Sequence, residues 1–445
     1  MRATLNVTTQ EAGDNWVQST TADPFKIAWY REAARAYADC RAAGLCDLAD
    51  PRLYAFMRML IKTPEHTFGT PDFYDDVNWT NEAFHAAVAA GETAYTDALS
   101  TYTEQRDIVA REGMRYLADH PLAANITARV AALVPSAPDV SRLVPVAPAQ
   151  WAAPITVSLA GGGSVQLGLD AASGALATLV LAGEAWADTA HLLGALTYRT
   201  FDDADLATQG AYCCFGHDAR QAAARPNSSA TPTTLLGVWL DSAAAPRAIT
   251  ARMAFQPAAL HEAYGAPSDV WATFAVADDG AVAFSLQLFN QTATRLAEAA
   301  LLSFAARPGA GGADAAWTMR KLESWVDPLD AVAGGSPHSH CVSDGVALAS
   351  RAAPAARFLA VDSLDAAVFS PATATQPATN FIVPFDALQG PVTSMSALLW
   401  QNAFNTNTPL CECLLGAGRR AAARTTPGDH TPGDHHGTPS DSLRY

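Results

Sequence analysis

Charge is scarce in this sequence: Asp, Glu, Lys and Arg together make up 16% of its 445 residues. Basic charge is scarcer still, with 28 Lys and Arg against 44 Asp and Glu, and it is almost all arginine. The resulting net charge of −16 excludes phosphate-backbone binding as a main activity, because no basic patch offsets it. No apolar run approaches the roughly 20 residues of a membrane-spanning helix. The first residues, Met1-Arg2-Ala3-Thr4-Leu5-Asn6, lack an apolar core, so no signal peptide is expected. The seven cysteines do not form paired C-x-x-C motifs, which argues against a thiolate zinc site.

What the chain does have is apolar content, at 49% of residues, which is enough for sizeable cores and several domains. Residues 24–120 read as helical. Asp23-Pro24 and Asp50-Pro51 each pair a capping acid with proline at the first helical position. Ile27, Tyr30, Ala34, Tyr37 and Ala38 follow with helical spacing, as do Leu53, Phe56, Met57 and Leu60. A third, longer helix is expected from about Thr80 to Leu117, giving a three-helix bundle. The prolines of 121–150 indicate a linker. From 151 to 415 the period changes to two, as in Ile155-Thr156-Val157-Ser158-Leu159, and a large antiparallel β-sandwich region is expected. The fold class is therefore α+β and multidomain. From 416 the chain carries a tandem Thr-Pro-Gly-Asp-His repeat, read as a disordered tail to 445.

Two segments put an acid or imidazole beside aromatic and Gly/Pro punctuation. They are Gly13-Asp14-Asn15-Trp16 and Pro64-Glu65-His66-Thr67-Phe68. The first runs on through Asp23-Pro24-Phe25-Lys26 to Tyr30-Arg31. Asp327-Pro328-Leu329-Asp330, Ser363-Leu364-Asp365 and Phe404-Asn405-Thr406-Asn407 follow in order. Together these resemble glycoside hydrolase family 38 α-mannosidases, and more closely an uncharacterised mannosidase-like sister family, over residues 10–410. The resemblance implies a retaining, zinc-dependent hydrolysis of α-mannosidic bonds by two carboxylates. It makes Asp14 the acid/base, His66 a zinc ligand that Glu65 could orient, and Trp16 a sugar-stacking or pocket-wall residue.

The resemblance also implies an N-terminal barrel that supplies the nucleophile and further zinc ligands. This chain opens thirteen residues before Asp14, so residues 1–23 are expected to be the edge of that domain. The chain alone is expected to be inactive, with zinc held only if the missing ligands are supplied. The expected partner is carbohydrate.

Other readings stand beside these. Asp14 suits a turn, His66 a helix end and Trp16 a core position. A carbohydrate-binding or structural sandwich is the rival, using Trp151, Trp186, Trp239, Trp271, Trp317, Trp325 and Trp400. His338 and His340 share a strand face and could take a metal, although a solvated strand end is the preferred reading. His430, His435 and His436 could bind metal adventitiously. Cys213 and Cys214 read as strand thiols, and Cys40 and Cys46 could either pair or remain buried thiols. N-glycosylation tripeptides begin at Asn6, Asn78, Asn125, Asn227 and Asn290.

Overall fold

The computed structural model describes residues 10–13, 15–65, 78–210, 227–322, 324–332, 334–352, 357–379, 388, 390–402 and 419–427. It is an α+β structure in which a helical layer packs on a large antiparallel sandwich. The helical layer holds α1 (Pro24–Ala42), α2 (Pro51–Lys62), α3 (Asn81–Ala90), α4 (Thr93–Asp107) and α5 (Pro121–Ala131). A 3-10 helix, Asn15–Ala22, leads into α1. Both Asp-Pro starts behave as expected. Asp23 accepts from the Lys26 amide at 3.1 Å and Asp50 from the Arg52 amide at 2.8 Å.

The helical layer departs from three helices at two places. Gly91 takes a left-handed conformation, φ 71°, and closes α3, so the expected long helix becomes α3, α4 and a π-helical segment, Ile108–Gly113. Pro121 starts a helix rather than opening a linker. His120 Nδ1 accepts from the Leu122 amide at 3.1 Å. Leu122 and Ile126 of α5 then pack with Ala33, Tyr37, Phe56 and Leu60. A disulfide, Cys40–Cys46, joins the end of α1 to the loop before α2. Among the described residues no helix is long and apolar enough to cross a membrane.

The strands are β1 (Val144–Pro145), β2 (Ile155–Ser158), β3 (Ser164–Leu169), β4 (Leu176–Leu181), β5 (Glu184–Ala185), β6 (Leu193–Thr200), β7 (Ser229–Leu240), β8 (Ala248–Phe255), β9 (Asp269–Val276), β10 (Val282–Phe289), β11 (Glu298–Phe304), β12 (Ala315–Lys321), β13 (Ser324–Val326), β14 (His340–Cys341), β15 (Gly345–Ser350), β16 (Arg357–Ser363), β17 (Val368–Thr373), β18 (Val392–Asn402) and β19 (Arg419–Pro427). Two short helices, α6 (Asp203–Gly210) and α7 (Ala259–Tyr264), lie between strands.

One sheet runs β2-β3-β4-β6-β11-β18-β17-β14. The other runs β1-β7-β8-β9-β10-β19-β16-β15-β12-β13. Strand β7 belongs to both: Ser229–Pro232 pair with β6 and Thr233–Leu240 with β8. Alternate residues of both sheets, among them Leu167, Tyr198, Val270, Phe274, Phe284 and Trp400, form one core between them.

Strand β19 corrects, over 419–427, the reading of 416–445 as a disordered tail; the rest of that segment lies outside the described residues. Arg419–Pro427 sits in the interior of the second sheet, between β10 and β16. Its sequence, Arg-Arg-Ala-Ala-Ala-Arg-Thr-Thr-Pro, has no apolar alternation, so pairing with two neighbours sets its conformation rather than its own propensity.

Asn81 and His85 of α3 bond sandwich carbonyls of Glu262, Ala263 and Ala293, and two further contacts fasten α1 and the N-terminal segment to the sandwich. The buried Arg31 of α1 donates from Nε to Leu364 O (2.8 Å), from Nη1 to Val342 O (3.3 Å), and from Nη2 to Ser343 O (2.9 Å) and Ser363 O (2.6 Å). Arg35 adds a bond to Leu364 O at 2.7 Å. Residues 10–13 lie along the 330–336 loop, with Glu11 N on Asp330 O, Val332 N on Glu11 O and Ser336 N on Gly13 O. Gly13, φ 69°, has no space for a side chain, since an added Cβ would lie 2.4 Å from Ser336 N.

Arg31→Ala is expected to cost about 3 kcal/mol by stranding carbonyls at the joint, read as a lower urea midpoint; an unchanged midpoint would refute the clamp. Gly13→Ala should release residues 10–13, and hydrogen exchange at the Glu11 and Val332 amides should rise to the level of an exposed loop.

Candidate functional site

The first turn of α1 gathers an unusual set of buried charges. Asp23 and Lys26 are both fully buried. Besides capping α1, Asp23 takes a bidentate pair from Arg106 of α4, with Nε on Oδ2 and Nη2 on Oδ1 at 2.7 Å each. The Arg106 guanidinium also lies over the Phe25 ring, 5.1 Å from its centroid. Lys26 Nζ donates to the Glu65 carbonyl at 2.5 Å and to Gln105 Oε1 at 3.3 Å. Thus α1, the end of α2 and α4 meet around one lysine. Burial brings the Lys26 ammonium down to about 8, against the pull of Asp23 and Glu65, and Lys62 and Arg106 push the same way as burial.

This cluster borders one of the three expected site residues. His66 lies outside the described residues, but it directly follows Glu65, whose carbonyl Lys26 holds. Asp14 also lies outside them; it directly follows Gly13, which is bonded to Ser336. Trp16 belongs to the 3-10 helix Asn15–Ala22 by its backbone, and its side chain is not described. Eight residues of 3-10 helix are long for that geometry, and they span the interval between Asp14 and Asp23.

Asp23 and Lys26 were not among the expected site residues. Asp23 was legible only as a cap, because its pairing with Arg106 joins residues 83 apart. Lys26 carried a usable signal: it is one of only three lysines in a chain that otherwise uses arginine.

Behind Gly13 lies a second polar group, half-buried at Glu11 and Lys321 and exposed at Gln10 and Asp330. Glu11 pairs with Lys321, and Gln10 bonds Asp330 at 2.8 Å. Burial acts to raise the Glu11 carboxyl, but the Lys321 and Gly13 hydrogen bonds bring it net below its ordinary value. His338 and His340 adjoin this group at 6% and 1% exposure, which corrects the reading of a solvated strand end. His340 Nε2 bonds Pro337 O at 3.0 Å. Burial, with Lys321 adding to it, lowers the imidazole to about 4, so it is neutral at pH 7.

On the sandwich side of the same α1 turn is a small cleft lined by Thr21, Pro24, Ile27, Leu288, Asp365 and Trp400. Trp400 is fixed there by the buried Glu298, which also accepts from Gln291 and from the Tyr198 hydroxyl. Of the tryptophans offered for sugar binding, Trp186, Trp271, Trp317 and Trp400 are buried; Trp151, Trp239 and Trp325 are half-buried.

The described residues do not fit a zinc site. Among them no group of three or more His, Cys, Asp or Glu could hold a metal. The Glu65 carbonyl beside His66 is engaged by an ammonium.

The fold and this site define an α+β chain whose helical layer, joined to a sandwich, carries a buried ionic cluster at the joint. Residues 20–283 match the family described as "Domain of unknown function (DUF5054)", and the chain belongs to that family. No curated protein matches it. Among solved structures it is similar to a galactose mutarotase-like protein from Lactobacillus casei ATCC 334, at 13% identity and a TM-score of 0.33. That match covers 61% of this chain and 99% of the other, and it is too loose to carry an argument.

The Lys26 environment has a pH signature. An ordinary lysine titrates near 10.4, so between 8 and about 10.4 the unfolded chain binds more protons and stability rises with pH. Below pH 8 the full penalty of burying the ammonium is present. The wild-type protein should therefore gain on the order of 2–3 kcal/mol relative to Lys26→Met across that window. Denaturation at a series of pH values checks this, and parallel curves for the two proteins would refute it.

Proposed function

We propose that this chain is part of a carbohydrate-active protein allied to retaining α-mannosidases, with Asp14, Trp16 and His66 at its sugar site. The observation that supports this reading is the meeting of segments that are far apart in sequence. Gly13 latches onto Ser336 just beyond Asp327–Asp330, Lys26 holds Glu65, and Arg31 grips Ser363 and Leu364. These are the segments on which the likeness to that enzyme class rests.

In this reading the Asp14 carboxyl passes a proton to the glycosidic oxygen and Trp16 offers an apolar ring to the sugar face. Lys26 fixes the chain as it enters His66. The attacking carboxylate of a retaining enzyme must stand roughly 5 Å from the acid. In this reading that carboxylate comes from the barrel that the likeness implies, so the chain acts as a sugar-binding half site. Zinc enters this reading only with ligands from outside the described residues, and no step is assigned to it.

A second reading, a sugar-binding sandwich, is favoured by one aromatic pair, the half-buried Trp239 against the buried Trp271. Trp239 and Trp271 lie in tilted contact at 5.5 Å, with Arg252 over Trp271 at 5.5 Å.

The purified chain should release no product from an aryl α-mannoside, yet bind mannose oligosaccharides saturably in calorimetry. Asp14→Asn with His66→Ala should weaken binding about tenfold or more, a loss of at least 1.4 kcal/mol. Binding that survives this pair but falls in Trp239→Ala would transfer the site to the sandwich. Metal-dependent turnover by the chain alone would overturn the half-site reading.

A further inference from the structure

Four of the five N-glycosylation tripeptides fall within the described residues, and their settings differ. Asn125 is exposed on α5, and Thr127, two residues on, is exposed as well. Asn227 is exposed where the chain enters β7; among the described residues only its backbone is engaged, with Thr200 and Tyr264. Asn290 is exposed in the turn after β10, in a left-handed conformation, φ 59°, its amide donating to the Ser268 hydroxyl at 3.2 Å. Asn78 is different. It is half-buried, its amide reaches Glu92 Oε2 at 3.3 Å, and the next residue, Trp79, is 5% exposed beneath Arg295, 3.9 Å from its ring. A glycan is bulky and hydrated, so it must leave the surface without displacing packed groups.

A second, independent observation concerns the compartment. Cys40 and Cys46 are joined as a disulfide, a bond that persists in oxidising compartments and is rare in the cytosol. The enzyme that attaches N-glycans works in such a compartment.

We propose that this protein matures in an oxidising secretory compartment and carries N-linked glycans on Asn125, Asn227 and Asn290, while Asn78 stays bare. The reaction joins the side-chain amide nitrogen to the anomeric carbon of a lipid-pyrophosphate-linked oligosaccharide. The new C–N bond replaces the C–O bond to the pyrophosphate, which leaves with its lipid, and the amide gives up one proton to a base. No oxidant is consumed in that step. Disulfide formation is separate and uses the compartment's own thiol oxidants. The proposal is independent of the sugar-site reading, since these asparagines lie away from Asp23, Lys26 and Glu65 in the chain.

The test takes the full chain from the cells that make it and releases N-glycans enzymatically in heavy-oxygen water. Each modified asparagine then becomes a labelled aspartate in peptide mass spectrometry. Alkylation without reduction reports on the two cysteines in the same sample. Labels at 125, 227 and 290, none at 78, and protected Cys40 and Cys46 are expected. A missing label at any of the three, a label at Asn78, or freely alkylated thiols would overturn the proposal. Asn125→Gln, Asn227→Gln and Asn290→Gln should each remove one glycan's step in gel mobility while leaving the urea midpoint in place. A variant that keeps all three steps would likewise overturn it.

Discussion

The seat of α1 on the sandwich rests chiefly on one guanidinium. Arg31 spends its donors on carbonyls from two sandwich segments, 342–343 and 363–364. Each of those carbonyls, buried without a partner, would cost about 1–3 kcal/mol. A planar fork with five donors can serve several carbonyls at once, whereas a lysine ammonium offers three donors from a single point. Burial lowers the Arg31 group to about 10, with Arg35 acting in the same direction and Asp365 and Asp344 opposing, and it remains charged at neutral pH. The clamp therefore holds as a charged hydrogen-bond centre.

Its effect reaches the candidate site through a rigid element. Lys26 and Arg31 are five residues apart on α1, about 7.5 Å along the helix axis. A helix pinned at Arg31 has little freedom one and a half turns away. Asp23 then ties the same end to α4 through Arg106, and Lys26 ties it to the end of α2 through Glu65. The Lys26 ammonium sits at the positive end of the α1 dipole and out of water, and both effects favour its neutral form. Asp23, paired with Arg106 and still attracting Lys26, keeps the cluster from becoming a bare pair of cations.

The sequence announced those parts of the fold that rest on local chemistry. Asp23-Pro24 and Asp50-Pro51 are complete helix starts within a few residues, and both formed. The period-two stretches of 155–169 and 281–289 became strands for the same reason: alternation is a local record of a half-buried sheet. Contacts set from a distance were not legible. Nothing near His338 or His340 says that Glu11–Gly13, more than 300 residues earlier, covers the loop that leads into them. Nothing in Arg419–Pro427 says that β10 and β16 leave a gap of one strand. Asp14 and His66 are marked only by motif, and the described structure reaches their neighbours Gly13 and Glu65.

That distribution bears on what the motifs mean. Gly13 is required because a Cβ would strike Ser336. Arg31 is required because four carbonyls need donors, and Asp23 because Arg106 and a helix start need a carboxylate. None of these requirements refers to a substrate. A chain that had lost its chemistry would keep all of them for as long as it kept the joint between helices and sandwich. The motifs around these residues therefore speak first for the joint itself. Asp14 and His66 directly follow Gly13 and Glu65, two residues the joint holds, so what those two side chains bind decides whether the motifs serve a ligand as well as the fold.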